Sequence, residues 1–452
     1  MNSDFVKGSL QASRWVFPTG INDRSWSLEA PVHWKRKRLR FLCKVNPPRS
    51  NLPSFGKGDI VAFLPMELAR ESDPHFSVIE RSAGDLQPGL TPLMNGDVLI
   101  AKITPCFENG KGGICTSLPN GVGFGSTEFH VLRPRKEIDV GFLYYVTVSV
   151  PFRSVGAAMM QGSAGQQRVP AGFLEDFVLS YPSVDEQKRI YDYLAAKVDA
   201  IEQCIREKQT LLGLLDEFEQ LETLHAVTRG LKPKASVMES GIDWIGNIPA
   251  HWKVRRLRFV ARIRTGERDT VDRQDEGPYP FYVRSQTVER IDTYSFDGEA
   301  VLTAGDGVGV AKVFHYATGK FDYHQRVYKF SDFRDIIGRF FFHYLRRTLK
   351  FEAFRETAKS TVDSLRLPVL KNFPVVLPPE PEQRHIVQWI DSKVSAVENA
   401  VACIKHEIEL LRDYENNLIA EAVSGRICTR GAESRKLKTE HTVPVALSEA
   451  SD

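Results

Sequence analysis

The sequence predicts an α+β protein in which two globular α/β lobes are joined by a pair of long antiparallel coiled-coil helices. Three observations carry that prediction. EQKRIYDYLAAKVDAIE (Glu186 to Glu202) recurs as EQRHIVQWIDSKVSAVE (Glu382 to Glu398), with 7 of 17 positions identical at an offset of 382 − 186 = 196. PVHWKRKRLRF (Pro31 to Phe41) recurs as PAHWKVRRLRF (Pro249 to Phe259), with 8 of 11 identical at an offset of 249 − 31 = 218. The apolar residues of the repeated helical stretches alternate spacings of three and four, the seam of a coiled coil. The stretches between the shared segments hardly match, so a common frame carries divergent filling, as a two-site recognition device would.

Each element follows in chain order. The first lobe takes residues 1–185 and opens on the His-Trp segment. NGDVLIAKI (Asn95 to Ile103) is a turn followed by a strand, and STEFHVLRP (Ser126 to Pro134) alternates as a half-buried strand does. GFLYYVTVSV (Gly141 to Val150) is an apolar run whose length and context favour helix. FVLSYPSVDEQ (Phe177 to Gln187) is a short apolar strand with proline and acids following, a helix-start signal. The first helical spacer, 186–230, has its seam at Leu194, Val198, Ile201, Ile205, Leu212 and Leu215, with Lys208 interrupting. It gives way near Arg229-Gly230 to the extended linker LKPKASVMES. The second lobe, 231–381, repeats the plan in DGEAVLTAG (Asp297 to Gly305), HQRVYKF (His324 to Phe330), GRFFFHYLRR (Gly338 to Arg347) and FPVVLPPEPEQ (Phe373 to Gln383). The second spacer, 382–428, has its seam at Ile390, Val394, Val397, Val401, Ile404, Ile408, Leu411 and Leu418. Each spacer runs about 40 residues, roughly 60 Å of helix. The tail, 429–452, is polar, aperiodic and expected to be disordered.

Bulk composition narrows the function. At 452 residues, 42% apolar and 26% charged, the chain is an ordinary globular one. Six scattered cysteines without a CxxC pair argue for reduced thiols and against a disulfide frame or zinc site. No signal-peptide pattern and no bilayer-length apolar run is present, so a cytoplasmic location without membrane association is expected. The net charge of +3 is unevenly placed: 20 − 17 = +3 over 1–185 and 25 − 19 = +6 over 231–381, against 6 − 9 = −3 over 186–230 and 9 − 12 = −3 over 382–452. Positive lobes are the footprint of phosphate binding, or a mildly uneven surface.

The chemistry-bearing motifs point to a binder. NPPR (Asn46 to Arg49) resembles the loop with which amino-methyltransferases hold adenine, but Arg49 replaces the stacking aromatic, leaving a proline turn. AGDGVGVAK (Ala304 to Lys312) fits neither a dinucleotide fingerprint nor a phosphate-cradling GK[ST] loop; a glycine-rich hairpin with Lys312 at its edge is the reading kept. KITPCFENGKGGI places Lys102 and Lys111 around a comparable turn. GSAGQQRVP holds Gln166, Gln167 and Arg168, and its positional partner AKSTVDSLRLP holds Lys359 and Arg366. Gln can read adenine and Arg guanine bidentately, although most such side chains are simply solvated. Arg326 lies on the second lobe's alternating strand. The basic runs containing Lys35, Arg36, Lys37 and Arg38, and Arg255, Arg256 and Arg258, are either phosphate contacts or solvated strand faces. Trp34 and Trp252 are packing anchors, because both copies keep them. No nucleophile, metal-ligand or nuclease pattern is present, and no cofactor is expected.

The order of these segments resembles the DNA specificity subunit of type I restriction-modification systems. The resemblance covers about residues 15 to 428 and rests on GIDWIGNIPAHW (Gly241 to Trp252), on GDVLIAKITPCFENGKGG with GFGSTEFHVLRP, and on PPEPEQRHI. The first lobe's opening, GINDRSWSLEAPVHW, departs from the tidier form of the second. The resemblance implies a non-catalytic subunit whose lobes are target recognition domains, each reading half of an asymmetric, gapped site on double-stranded DNA. It further implies that the helices set the gap and dock two modification subunits, which carry S-adenosylmethionine and methylate adenine, with an ATP-driven restriction subunit joining for cleavage. Two alternatives are a coiled-coil scaffold with protein-binding lobes and a stand-alone DNA adenine methyltransferase.

Overall fold

The computed structural model describes residues 30–71, 74–163, 165–233, 235–357 and 364–427. Lys359 and the tail 429–452 lie outside the described residues. The chain divides into two compact units, residues 1–205 with 408–452, and residues 206–407. The two long helices, Val184–Arg229 and Glu380–Val423, each contribute one part to either unit. Both begin two residues before the repeated Glu-Gln.

In the first unit the main sheet is ordered Cys43–Val45, Phe129–Pro134, Val98–Ala101, Lys111–Ile114, Arg70–Glu71, antiparallel throughout. A second sheet is ordered Ile79–Ser82, Ile60–Leu64, Val122–Gly125, Thr91–Met94, with its central pair parallel. Lys35–Arg38 pairs antiparallel with Val178–Tyr181 in a separate ribbon.

The second unit repeats this plan. Its main sheet is Arg262–Thr265, Val327–Ser331, Ala300–Ala304, Phe314–Ala317, again all antiparallel. Its other sheet is Glu289–Ile291, Tyr279–Tyr282, Lys320–Tyr323, Phe296–Asp297, again with the central pair parallel. Lys253–Arg256 pairs with Pro374–Leu377 as the matching ribbon. Stretches that hardly match in sequence therefore share strand order and polarity, with Arg70–Glu71 an additional edge strand in the first main sheet. The anticipated strands are present, and Val98–Ala101 and Ala300–Ala304 are buried at every position. The two expected to be half-buried are instead covered on both faces: Phe129 to Leu132 are all buried, as are Val327 and Lys329 to Ser331, each strand lying inside its sheet between two others.

The two apolar runs are helices, as their length and context favour. Val140–Val148 is buried from Gly141 onward, so no amphipathic stripe marks it; Asp139 caps its start by accepting from the Gly141 and Phe142 N–H groups at 2.9 and 3.1 Å. A second short helix, Val150–Ala158, follows immediately. The counterpart Gly338–Thr357 is continuous.

The repeated sequence words become a repeated joint. Gln187 is fully buried; its amide donates to the Pro182 and Glu137 carbonyls at 2.9 and 3.0 Å and accepts from Asp139 N–H at 2.7 Å. Gln383, equally buried, donates to the Pro378 and Asp335 carbonyls at 2.8 and 2.9 Å and accepts from Ile337 N–H at 2.8 Å. The preceding glutamate takes the His-Trp pair: Glu186 meets His33 at 3.0 Å and accepts from Trp34 Nε1 at 3.3 Å. Glu382 meets His251 at 2.7 Å and accepts from Trp252 Nε1 at 3.2 Å. Both tryptophans are buried, as packing anchors should be. Each joint is closed by the glycine that ends the other long helix. Gly425 (φ 77°) lies against Pro31 and Trp34, and Gly230 (φ 76°) against Trp252 and Glu382. That backbone conformation and that closeness leave no comfortable room for a Cβ.

Within each unit the helical parts run antiparallel, with residue numbers rising on one as they fall on the other. In the first unit, Leu194, Val198, Ile201 and Ile205 share a core with Leu418, Ile419, Ala422 and Val423, and Arg412 pairs with Glu202. In the second, Ala226 and Val227 share a core with Ile386 and Ile390. There Lys208, the break in the seam, donates to Glu407 at 2.6 Å.

Replacing Gln383 with Leu removes the partner of the buried Pro378 carbonyl and of the Asp335 carbonyl and Ile337 N–H at its margin. It is expected to cost about 2–4 kcal/mol, seen as a lower urea midpoint for the second unit. Arg384→Leu, at an exposed neighbour, is expected to stay within about 0.5 kcal/mol of the parent.

Candidate nucleic-acid interface

The two basic runs sit on the ribbons that lead into the long helices. In the first unit Lys37 donates to Glu137 at 2.8 Å, and Arg38 and Arg40 share Asp176. Glu137 holds Lys37 above the ordinary lysine range by hydrogen bonding. Lys35 and Arg36 are exposed. In the second unit Arg256 donates to the Asn372 carbonyl at 2.8 Å and Arg258 to its side-chain oxygen at 2.6 Å. Arg255 is exposed and, with His251 and Lys253, lines a hollow of about 530 Å³. Charge that the sequence shows only as a run is thus partly answered by carboxylates in one copy and by neutral oxygens in the other.

A second group assembles at one end of each main sheet. In the first unit Lys102 and Lys111 flank the connection between adjacent strands Val98–Ala101 and Lys111–Ile114. The loop carrying Gln166, Gln167 and Arg168 is laid against that connection: Thr104 N–H donates to the Gln167 carbonyl at 3.0 Å, and Val169 N–H to the Lys102 carbonyl at 2.9 Å. Arg168 grips Glu128, Nε to Oε2 at 2.9 Å and Nη2 to Oε1 at 3.0 Å. That hydrogen bonding holds the Glu128 carboxyl below its usual range. Burial lowers the neighbouring His130, which donates to or accepts from Asn46 and meets the Val169 carbonyl at 2.8 Å.

The same corner exists in the second unit. Leu365 N–H donates to the Gly305 carbonyl, and Gly305 N–H to the Arg326 carbonyl, each at 2.8 Å, mirroring the bonds of Val169 and Lys102. Lys312 lies on the connection between Ala300–Ala304 and Phe314–Ala317, and Arg366 follows Leu365 at the start of a short helix. The glycine-rich hairpin expected at Ala304 to Lys312 is present. A Cβ at Gly309 would come within 2.7 Å of the Arg284 carbonyl, so the backbone this glycine admits is the protein's own. The hairpin presents Asp306 to two arginines: Arg284 donates to Oδ1 at 3.0 Å and Arg326 to Oδ2 at 2.6 Å. Burial opposes ionisation of Asp306, yet the two guanidiniums outweigh it and hold the carboxyl below its usual range.

Of the residues singled out from sequence, the fold gathers Lys102, Lys111, Gln166, Gln167 and Arg168 at one corner and Lys312, Arg326 and Arg366 at its counterpart. Lys35 to Arg38, Arg255 and Arg256 stand apart on the ribbons, with Arg258 in the helical turn Leu257–Phe259 that follows. Glu128, Arg284 and Asp306, which complete the corners, are not among the residues the sequence singles out. The glycines at 305, 307 and 309 are the signal available in the sequence for Asp306. The NPPR loop is a turn whose Asn46 side chain is spent on His130 and on Val131 N–H at 2.9 Å, while Arg49 stacks over Phe55 and Phe124 at 5.3 and 5.0 Å.

Residues 249–410 match the family described as the type I restriction modification DNA specificity domain. The chain is 34% identical over 217 residues to the type I restriction enzyme EcoAI specificity subunit of Escherichia coli, covering 45% of this chain and 36% of that one. It is 34% identical over 209 residues to the EcoEI specificity subunit of the same organism, covering 46% and 34%. It therefore spans about a third of the length of these curated relatives. In fold it is similar to a chain solved in work on complex assembly and conformational transition of the type I R-M system, with a TM-score of 0.69 and 18% identity, covering 88% of this chain and 100% of that one. It is also similar to the HsdS subunit from Thermoanaerobacter tengcongensis, with a TM-score of 0.52 and 17% identity, covering 88% and 98%. Among the described residues no helix is long and apolar enough to cross a membrane.

If the ribbon cations meet phosphate, removing two of them with Lys35→Ala and Arg255→Ala flattens the dependence of log affinity on log salt by about 2, at roughly 0.9 per phosphate contact. Duplex binding by the full chain across a salt series checks this; an unchanged slope assigns the runs to solvent.

Proposed function

We propose that this chain, whose residues 249–410 carry the DNA specificity domain of type I restriction-modification systems, is the non-catalytic subunit that selects the DNA site. Each lobe is a target recognition domain reading one half of an asymmetric bipartite sequence in double-stranded DNA. The observation that carries this reading is the duplicated sheet plan with unlike side chains at the same corner of each copy. Identical frames position two readers in the same way, while Lys102, Gln167 and Arg168 in one and Arg284, Lys312 and Arg326 in the other present different donors. Different donors read different bases. The domain limits that go with this reading are recognition domains over 1–185 and 231–381, with helical spacers over 186–230 and 382–428 that set the gap between half-sites.

The partners are two modification subunits, which supply the methyl-transfer chemistry, and ATP-dependent restriction subunits, all in the cytoplasm. A duplicated apolar face on the long helices supports two equivalent docking positions. Leu214 and Phe218 are exposed on the first helix, and at the repeat offset of 196 the second helix exposes Leu410 and Tyr414. Leu211 and Leu221 extend the face on the first helix. A coiled-coil helix has no packing reason to keep such residues in water, and apolar patches of this kind mark interaction sites.

Two measurements test the reading. Mapping methylated adenines across the host genome, with and without this gene, is expected to reveal a gapped asymmetric motif that vanishes when the gene is removed. A motif that persists without the gene would falsify the proposal. Separately, Leu214→Asp with Phe218→Asp is expected to reduce bound modification subunits from two to one in the mass of the reconstituted complex, and Leu410→Asp with Tyr414→Asp to remove the other. Retention of both subunits by each variant would assign docking elsewhere.

A further inference from the structure

Resting on that reading, we infer that each half-site contains a guanine read by a carboxylate-held arginine, Arg168 aligned by Glu128 in the first lobe and Arg326 aligned by Asp306 in the second. Both pairs stand at the corner where the loop after the central strand meets the returning loop. They reach it from non-equivalent positions. The residue matching Arg326 in the backbone bonding is Glu128, since their carbonyls accept from Gly305 and Lys102 respectively. Asp306 bridges to Ser364 as Ile103 bridges to Arg168. The acid's position in the first copy is taken by the base in the second, while Arg168 and Asp306 stand at positions that hold Ser364 and Ile103 in the other copy; an arginine on a carboxylate nonetheless stands at each corner.

Holding the fold together does not explain these pairs. The arginine side chains are 44% and 59% exposed, and exposed ion pairs contribute little to stability. What the carboxylate does supply is orientation. A guanidinium carries five N–H donors in one plane. Arg168 spends Nε and one Nη2 hydrogen on Glu128 and one Nη1 hydrogen on the Gln166 carbonyl at 3.2 Å. One donor remains on each terminal nitrogen; with the Gln166 carbonyl on the Nη1 hydrogen that faces Cδ, the two lie side by side, the spacing that matches O6 and N7 of guanine in the major groove. Arg326 gives a single Nη1 bond to Asp306, leaving its Nε and Nη2 edge for the same purpose.

The carboxylate also sets selectivity by charge. Arg168 with Glu128 carries no net charge, so the pair gains little from phosphate in general. Its remaining donors still match an acceptor pair on a base edge. Around Asp306 two arginines leave a net charge of +1, and Arg284 occupies the second oxygen, so the carboxylate stays in place when Arg326 turns to a base. Carboxylate and glycine hairpin together act as positioning groups for Arg326, and Glu128 does the same for Arg168.

The experiment uses the full chain in its complex with modification subunits and duplexes carrying the mapped motif. Each guanine is replaced in turn by 7-deazaguanine, which lacks the N7 acceptor. In the parent, one replacement in each half is expected to weaken binding about 5- to 150-fold. In Arg326→Lys the effect in one half shrinks to within roughly twofold of none, while the other half stays as sensitive as in the parent, which also reports that the variant is folded. Arg168→Lys does the converse. Should a lysine variant bind no duplex, Asp306→Asn and Glu128→Gln decide, and each is expected to keep binding while losing discrimination at the same guanine. A half-site without guanine, or equal 7-deazaguanine sensitivity in parent and variants, overturns the inference and leaves the proposed function standing. Absence of any gene-dependent motif overturns both.

Discussion

A glutamine with no access to water holds each lobe to the long helix that follows it. Gln187 and Gln383 each satisfy two carbonyls and one N–H of the loops around the helix start. No strand or helix ladder serves those loop groups, and the Pro182 and Pro378 carbonyls among them are buried, so an apolar side chain there would leave all three without this partner. Glutamine suits the task because one amide both donates twice and accepts. The neighbouring Glu186 and Glu382 then fasten the His-Trp segment, and the tryptophans in turn receive Gly425 and Gly230. Strand, helix start and helix end meet at one point in each unit, which is why these few words are the ones the sequence repeats.

Away from that joint the copies are free to differ. A buried antiparallel sheet needs apolar side chains at the right period and turns of the right length, and many residue sets meet those terms. Strand order and polarity persist in both sheets although the intervening residues hardly match. At the sheet corner the connections themselves differ in form as well as in sequence. The first lobe fills that corner with a Lys-flanked turn and the Gln-Gln-Arg loop. The second fills it with a glycine hairpin that Gly309 permits to lie against the Arg284 backbone.

Electrostatics separates two kinds of basic residue that composition treats alike. Lys37, Arg38 and Arg40 are answered by Glu137 and Asp176 on the ribbon, whereas Arg255 and Lys253 border an open hollow. Arg168 and Arg326 are also answered by acids, but by bidentate or shared geometry that orients a planar group and leaves donors unspent. Inside the first unit Glu415 is an opposite case: burial, followed by the nearby Glu202, raises its carboxyl to about 7 despite Arg412. Counting charges along a chain distinguishes none of these.

Residue order alone was enough for the α+β class, the internal duplication, the helix seams, the strand positions and the tryptophan anchors. All of these depend on periodicity or on repeated words, which are local or self-comparing signals. It was also enough to match the stretch holding Gln166 to Arg168 with the one holding Arg366 as corresponding positions of the two copies. The pairing of Arg168 with Glu128 and the meeting of Arg284, Asp306 and Arg326 appeared only on folding. Their partners lie 40, 22 and 20 residues apart on separate strands and loops, and no pattern in the chain encodes which strand ends share a corner. Sheet order decides that, through long-range hydrogen bonding whose register a one-dimensional reading does not contain.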